Sequence, residues 1–323
     1  MQANAAKRAL ASLERGKQKA QQRLAKQHSE NKTKASTASK LTKGPDLTSV
    51  VLRFFVLTAI GITVAFIASI VIYILYNGIP NLKPQFFELE YNSINLSLVP
   101  SLLTTVAMVL LGLLIAGPLG IFAAVFLTEY SRKDNLFIKA IRLAAETLAG
   151  IPSIIYGVFG YITFVHLFKG TSLMAGVLTV SIMILPLIMR TAEEAILAVP
   201  DTYREGSFGL GAGKLRTVFK IVLPSAAPGI LSGVILAIGR VFGETAALML
   251  TSGASHGFGG ATLAVHLYSL TFNGNDHLDA LFATAVILLI VAVGINALSS
   301  WTAKKVGKGQ ISTEKTKRKA KAV

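Results

Sequence analysis

Residues 225–252 read SAAPGILSGVILAIGRVFGETAALMLTS, and Arg240 and Glu244 are the two charges in the stretch. Whether it crosses a membrane decides how many times the whole chain does. A bilayer core about 30 Å thick is crossed by roughly 20 apolar helical residues at 1.5 Å each. Five other runs of suitable length carry no charge at all: Phe54–Tyr76, Val99–Leu127, Thr147–Phe168, Gly170–Met189 and Ala280–Ala303. The placement of Lys and Arg tests the sixth independently, because cytoplasmic flanks hold the excess of positive charge. With the N-terminus inside and six spans, the inner segments carry 11 basic residues in the tail, four after span two, five after span four and eight after span six. The outer segments carry Lys83, Lys169 and none. Removing the span at 225–252 would put the eight-charge C-terminal tail on the wrong side. The expected fold is therefore an all-α integral membrane protein with six transmembrane helices and both termini cytoplasmic.

Composition agrees: 52% of the 323 residues are hydrophobic, 15% are charged, and mean hydropathy is +0.59. That is far too apolar for a soluble domain of this length. The net charge of +16 would suggest nucleic acid in a soluble protein; here the charge sits in tails and short loops, where it sets orientation and meets membrane lipids, and no nucleic-acid partner is implied. The chain has no cysteine, hence no disulfide, thiolate metal site or thiol nucleophile. Residues 1–49 form a basic N-terminal tail without an apolar run, which is not a cleavable signal peptide; a loose helix over Ala5–Gln27 is expected within it. Residues 50–303 form the membrane domain, and 304–323 a basic C-terminal tail.

Between spans four and five, residues 190–224 read RTAEEAILAVPDTYREGSFGLGAGKLRTVFKIVLP. Asp201 after Pro200 is placed to cap a short helix, and Gly209, Gly211 and Gly213 to end it. A second helix from Lys214 sets Leu215, Val218, Phe219 and Val222 on an apolar face opposite Arg216 and Lys220, and Pro224 is expected to break it. Gly209-Leu210-Gly211-Ala212-Gly213-Lys214 is not a phosphate-binding loop: Phe208 stands where the first Gly is needed, and Leu215 where the magnesium-binding hydroxyl is. The chain has no catalytic constellation, so it is expected not to be an enzyme and to bind no cofactor or metal itself.

The spacing Glu205-Gly206-Ser207, three residues, Gly211, nine residues, Ile221, one residue, Leu223-Pro224 resembles the E-A-A-x3-G-x9-I-x-L-P loop of ABC importer permeases, with Gly206 and Ser207 replacing its two alanines. The resemblance implies a type I importer bundle whose cytoplasmic coupling helix docks on the ATPase through Glu205, Gly206, Ser207, Gly211, Ile221, Leu223 and Pro224. Within that family the chain resembles the PstA-type phosphate permeases, through Ser101–Thr105 with Pro118–Gly120, Gly150–Ser153, Arg190–Ala195, and Pro228–Leu231 with Arg240 and Gly243–Ala246. This implies inward phosphate transport across the bacterial inner membrane. It also implies an ATPase subunit dimer holding ATP and Mg, a second homologous permease subunit, and an extracytoplasmic phosphate-binding protein. Another oxyanion such as sulfate or molybdate, or a membrane scaffold that transports nothing, are the rival readings.

Arg240 and Glu244 together cost about 5 to 7 kcal/mol near mid-membrane if unpaired, nearly cancelling the insertion energy of the apolar residues around them. Their i, i+4 spacing places them within reach of one another. Arg240, with its forked donors, is the residue expected nearest an oxyanion, with Glu244 holding and partly neutralising it and Thr245 beside them. A static pair that fixes helix packing is the alternative. Pro118, Pro152 and Pro186 are candidate kinks, and Ser153 opens a helix whose free N–H groups could face an anion. Arg190 either snorkels to headgroups or lines the inner exit. Residues 253–279, with Ala261–Leu270, are expected to form the outer surface met by the binding protein, and His256, His266 and His277 to be surface or interfacial residues, not metal ligands.

Overall fold

The computed structural model describes residues 47–131, 135–255, 257–272 and 277–321, with the backbone alone for 47, 48, 50, 299, 300 and 302–321. The expectations for residues 1–46, His256 and Asp276, including the helix over Ala5–Gln27, lie outside the described residues. The chain divides into two units, Met1–Ile70 and Val71–Val323. Helix α1 (Leu47–Gly78) supplies all the described residues of the first unit and the start of the second. It is apolar around its whole circumference, as a membrane-facing helix is.

In the second unit α2 (Val99–Val125) starts with Pro100 in its first turn and ends in a π-turn, Phe126–Tyr130. Helix α3 (Leu136–Gly150) is capped by Asn135, whose side chain accepts from the Phe137 N–H, and carries Lys139, Arg142 and Glu146. Helix α4 (Ser153–Gly160) continues through a π-turn to Val165. Then follow α5 (Leu173–Leu197), α6 (Asp201–Gly209), α7 (Lys214–Phe242), α8 (Ala246–Thr251), α9 (Leu263–Phe272) and α10 (Leu278–Lys321). Among the described residues there is no strand. Among the described residues, five helices are long and apolar enough to cross a membrane, or six if the bent pair of α3 and Ser153–Val165 is counted as one span.

That pair corrects the expected third span. The chain turns by 100° between α3 and Ser153–Val165, so Thr147–Phe168 is not one straight helix. Pro152 lacks the N–H that would continue α3, and the Tyr156 hydroxyl donates to the Leu148 carbonyl across the corner at 2.8 Å. Pro118 and Pro186, by contrast, lie inside helices that run on through them. The fifth span is also reshaped: α7 runs unbroken from Lys214 through Pro224 to Phe242 and stops there, ten residues before Ser252. Pro224 is not a breaker because Pro lies in the first turn of the α-helical stretch Leu223–Phe242, directly after a π-turn at Val218–Val222. Helix α10 continues through the expected C-terminal tail to Lys321.

The core is built on α5, whose Val177, Val180, Met183, Ile184 and Ile188 are almost fully buried with Met108 and Ala116 of α2 and Ala237 and Val241 of α7. Small residues bring α5 and α7 together: a Cβ on Gly233 would stand 2.0 Å from Thr191 Oγ1, so only glycine allows this approach.

Candidate functional site

Two features of the second unit concern function: a pocket beside Arg240 within the spans, and the α6 loop at one end of the bundle. The pocket is about 610 Å³, walled by Leu187 of α5, Ser232, Ile235, Leu236, Gly239 and Arg240 of α7, and Asn296 of α10. Its walls are mostly aliphatic, with three polar side chains. Of the five pathway candidates, Arg240 lines it; Glu244, Thr245, Arg190 and Ser153 do not.

The expected Arg240–Glu244 pair is not formed. Gly243 terminates α7, so the i, i+4 relation that assumed a continuous helix is lost. Glu244 instead turns into the protein, 8% exposed, and its Oε1 accepts the Ala247 N–H at 3.0 Å at the start of α8. That satisfies a helix-end donor and sets a negative charge at the positive end of a helix. Among the described residues, no carboxylate lies within ion-pair distance of Arg240. Thr245 stays partly exposed at the break. Arg190 does not line this pocket; half exposed, it pairs with Glu146 of α3 at 3.3 Å and Glu194 at 3.4 Å. Ser153 is the first residue of α4, whose N-cap is Pro152, a residue with no side-chain group to cap the helix.

At the other feature, α6 begins after Pro200, which takes the cap position expected for Asp201; Asp201 lies in the first turn. Gly211 has φ +79°, the left-handed geometry that reverses the chain. Ser207 is buried and its hydroxyl meets that of Thr217 at 2.8 Å, joining α6 to α7. Gly206 faces open space, and Glu205, Gly211 and Pro224 are exposed, while Ile221 and Leu223 are half-buried. The apolar face expected from Lys214 onward splits: Val218 and Val222 are buried, whereas Leu215 and Phe219 are exposed, as are Tyr203, Phe208 and Leu210. Outward, then, the loop presents aromatic and aliphatic side chains.

Beneath the loop lie ion pairs that sequence reading did not find. Arg204 of α6 binds Glu129 of the π-turn after α2, with Nη2–Oε1 at 2.8 Å. Arg142 of α3 pairs with Glu193 of α5 at 2.7 Å and donates to the Leu127 carbonyl at 3.2 Å. The partners are distant in sequence, so no local spacing reveals them.

At the opposite end, Ala261–Leu270 is not the outer surface that was expected: Ala261, Leu263, Val265 and His266 are fully buried. Thr104 accepts the Gly259 N–H and Thr105 that of Leu263, fastening this segment to α2. The exposed residues of this region include Ala254, Ser255, Gly257 and Phe258, with Tyr268, Thr271 and Phe272 further on; Gly257 and Phe258 line a hollow of about 500 Å³ with Glu90 and Tyr91. Burial pushes the Tyr91 hydroxyl above its ordinary pKa. Among the described residues no group of His, Asp or Glu is placed to hold a metal.

Residues 116–308 match the family described as binding-protein-dependent transport system inner membrane component. The probable ABC transporter permease protein YqgI of Bacillus subtilis is 37% identical over 200 residues, 60% of this chain and 68% of that one. The phosphate transport system permease protein PstA homolog of Mycoplasma pneumoniae is 32% identical over 215 residues, 62% of this chain but only 33% of that one. A solved chain of a bacterial ABC transporter involved in the import of the acidic polysaccharide alginate superposes with a TM-score of 0.58 at 14% identity, over 80% of this chain and 98% of that one. At that identity the likeness is one of fold.

Proposed function

Because this chain belongs to the binding-protein-dependent transport system inner membrane components, the permease subunits of ABC importers, we propose that it conducts an oxyanion, phosphate, inward past Arg240. The observation that carries this is a guanidinium lining a pocket inside the spans with no carboxylate at ion-pair distance among the described residues. An arginine at mid-membrane costs about 2.5 to 3.5 kcal/mol. Packing does not offset this with a counter-ion, so water in the pocket or a passing anion does. Forked N–H donors suit tetrahedral oxyanions, and Ser232 and Asn296 add a hydroxyl and an amide to the same wall. The PstA name of a relative supports phosphate in particular.

In this reading the α6 loop faces the cytoplasm, in the bacterial inner membrane. Its exposed Tyr203, Phe208, Leu210, Leu215 and Phe219 dock on a dimeric ATPase that holds ATP and Mg. A second permease subunit covers apolar faces left exposed here, and a phosphate-binding protein delivers the ion at the α9 end.

The test is phosphate uptake by membrane vesicles containing all partners, comparing the native chain with Arg240→Lys. Lysine keeps the charge and loses the fork. Losing one charge-assisted hydrogen bond of about 1.5 to 3 kcal/mol predicts roughly a tenfold to hundredfold slower uptake with assembly retained. Uptake unchanged by Arg240→Lys refutes the role of Arg240; uptake blocked by sulfate or molybdate but indifferent to phosphate refutes the substrate.

A further inference from the structure

Arg204 uses every donor it has. Its Nε and Nη2 both bind Glu129 Oε1, at 2.9 and 2.8 Å; Nη2 also reaches the Ile196 carbonyl at 3.0 Å. Nη1 binds the Val199 carbonyl at 2.8 Å and Asp201 Oδ1 at 3.1 Å. Five N–H groups thus make five bonds. The side chains of Arg204 and Glu129 are only 15% and 10% exposed.

These bonds join three elements. Arg204 belongs to α6, Glu129 to the π-turn that ends α2, and Ile196 and Val199 supply carbonyls at the C-terminal end of α5, where a helix lacks internal partners and favours a cation. Exposed ion pairs give way easily, but a nearly buried, fully bonded one does not, because parting it strands both charges. Helix α6 therefore cannot shift against α2 and α5 while these bonds hold. Nine residues before Ile196, about 14 Å along α5, lies Leu187 in the wall of the Arg240 pocket.

We infer that Arg204 and Glu129 form the joint through which movement of α6 is delivered to α2 and α5, and so to the pocket. They are positioning residues: neither lines the pocket, and the joint acts on transport through the helices it holds. The inference rests on the importer reading above, in which an ATPase moves α6.

The test uses the full complex in proteoliposomes, with native chain, Arg204→Lys, Glu129→Gln and the double variant. ATP hydrolysis and phosphate uptake are measured together. Because the chain has no cysteine, Leu236→Cys, in the aliphatic part of the pocket wall and not among the polar side chains assigned to the anion, can be added alone to report thiol accessibility of the pocket before and after vanadate trapping, whatever the substrate. The expected result is ATP hydrolysis within about twofold of native, uptake per ATP lower by about tenfold, a diminished accessibility change, and a double variant no worse than either single one. Additive losses, unchanged uptake per ATP, or an intact accessibility change in both single variants would overturn the joint. So would failure of both single variants to assemble, which would make the pair a folding element only. A native complex that shows the accessibility change without moving phosphate would remove the substrate reading, and the joint would then be judged on accessibility alone.

Discussion

Replacing Gly233 by Ala tests the packing that holds the two central helices of the pocket together. The added Cβ would lie 2.0 Å from Thr191 Oγ1 and 2.6 Å from Thr191 Cβ, against an ordinary contact of about 3.5 to 4.0 Å. Thr191 cannot simply rotate away, since the clash includes its own Cβ, and its hydroxyl bonds the Leu187 and Ile188 carbonyls at 2.9 and 3.1 Å. Helices α5 and α7 must part instead. Overpacking of this kind costs about 1 to 3 kcal/mol, while Ala in place of Gly in a helix returns about 1 kcal/mol. The matched control is Gly294→Ala on α10, where a Cβ meets nothing within 4 Å, so that it receives the helix preference alone. Gly233→Ala should therefore be about 1 to 3 kcal/mol less stable than Gly294→Ala. At about 2 to 4 °C per kcal/mol for a domain of this size, that is a melting midpoint lower by roughly 2 to 12 °C. Thermal unfolding of the purified chain in detergent reads this out. In a Thr191→Gly background all the clashing atoms are gone, and the same Ala should then be neutral or stabilising. A Gly233→Ala chain as stable as the control, or one that Thr191→Gly does not relieve, would refute the close approach of α5 and α7.

Glu244→Ala removes the acceptor for the Ala247 N–H and should destabilise the chain by about 0.5 to 2 kcal/mol, with Glu244→Gln milder, as read by thermal unfolding; equal stability of all three would show that the buried carboxylate does not hold the start of α8. Gly211→Ala forces a Cβ onto a residue at φ +79° and should cost about 1 to 2 kcal/mol, seen as faster proteolysis of the loop between α6 and α7. Gly206→Ala, helical and facing open space, should leave that proteolysis no faster than native, and an equal effect at both sites would refute the assigned turn.

Local signals in the chain were enough for the membrane class and for the position of the loop around α6. The uncharged runs predict α1, α2, α5 and α10, because insertion depends on summed apolar content over about 20 residues and on nothing distant. Gly209, Gly211 and Gly213 were expected to end α6; of the three, Gly211 alone has a positive φ. Prolines were less legible. Pro152 stands at a 100° corner whereas Pro118, Pro186 and Pro224 lie within helices. Each lacks the same N–H, and neighbouring helices decide whether the loss bends the chain.

The charges divide in the same manner. Arg240 was expected near an anion path, and a lone arginine in an apolar run is visible in any sequence. Its pairing with Glu244 was inferred from helical spacing and fails because α7 stops at Phe242. Arg204 and Glu129 are 75 residues apart, and only the packing of α2 against α5, with α6 folded beneath, brings them to 2.8 Å. Hydropathy, charge asymmetry and turn residues act over a few turns of chain, so the sequence by itself determined which segments enter the membrane and where the loop lies. Which charges meet, which proline bends and which side chains face the pocket depend on contacts between segments far apart, and the tertiary structure alone decided them.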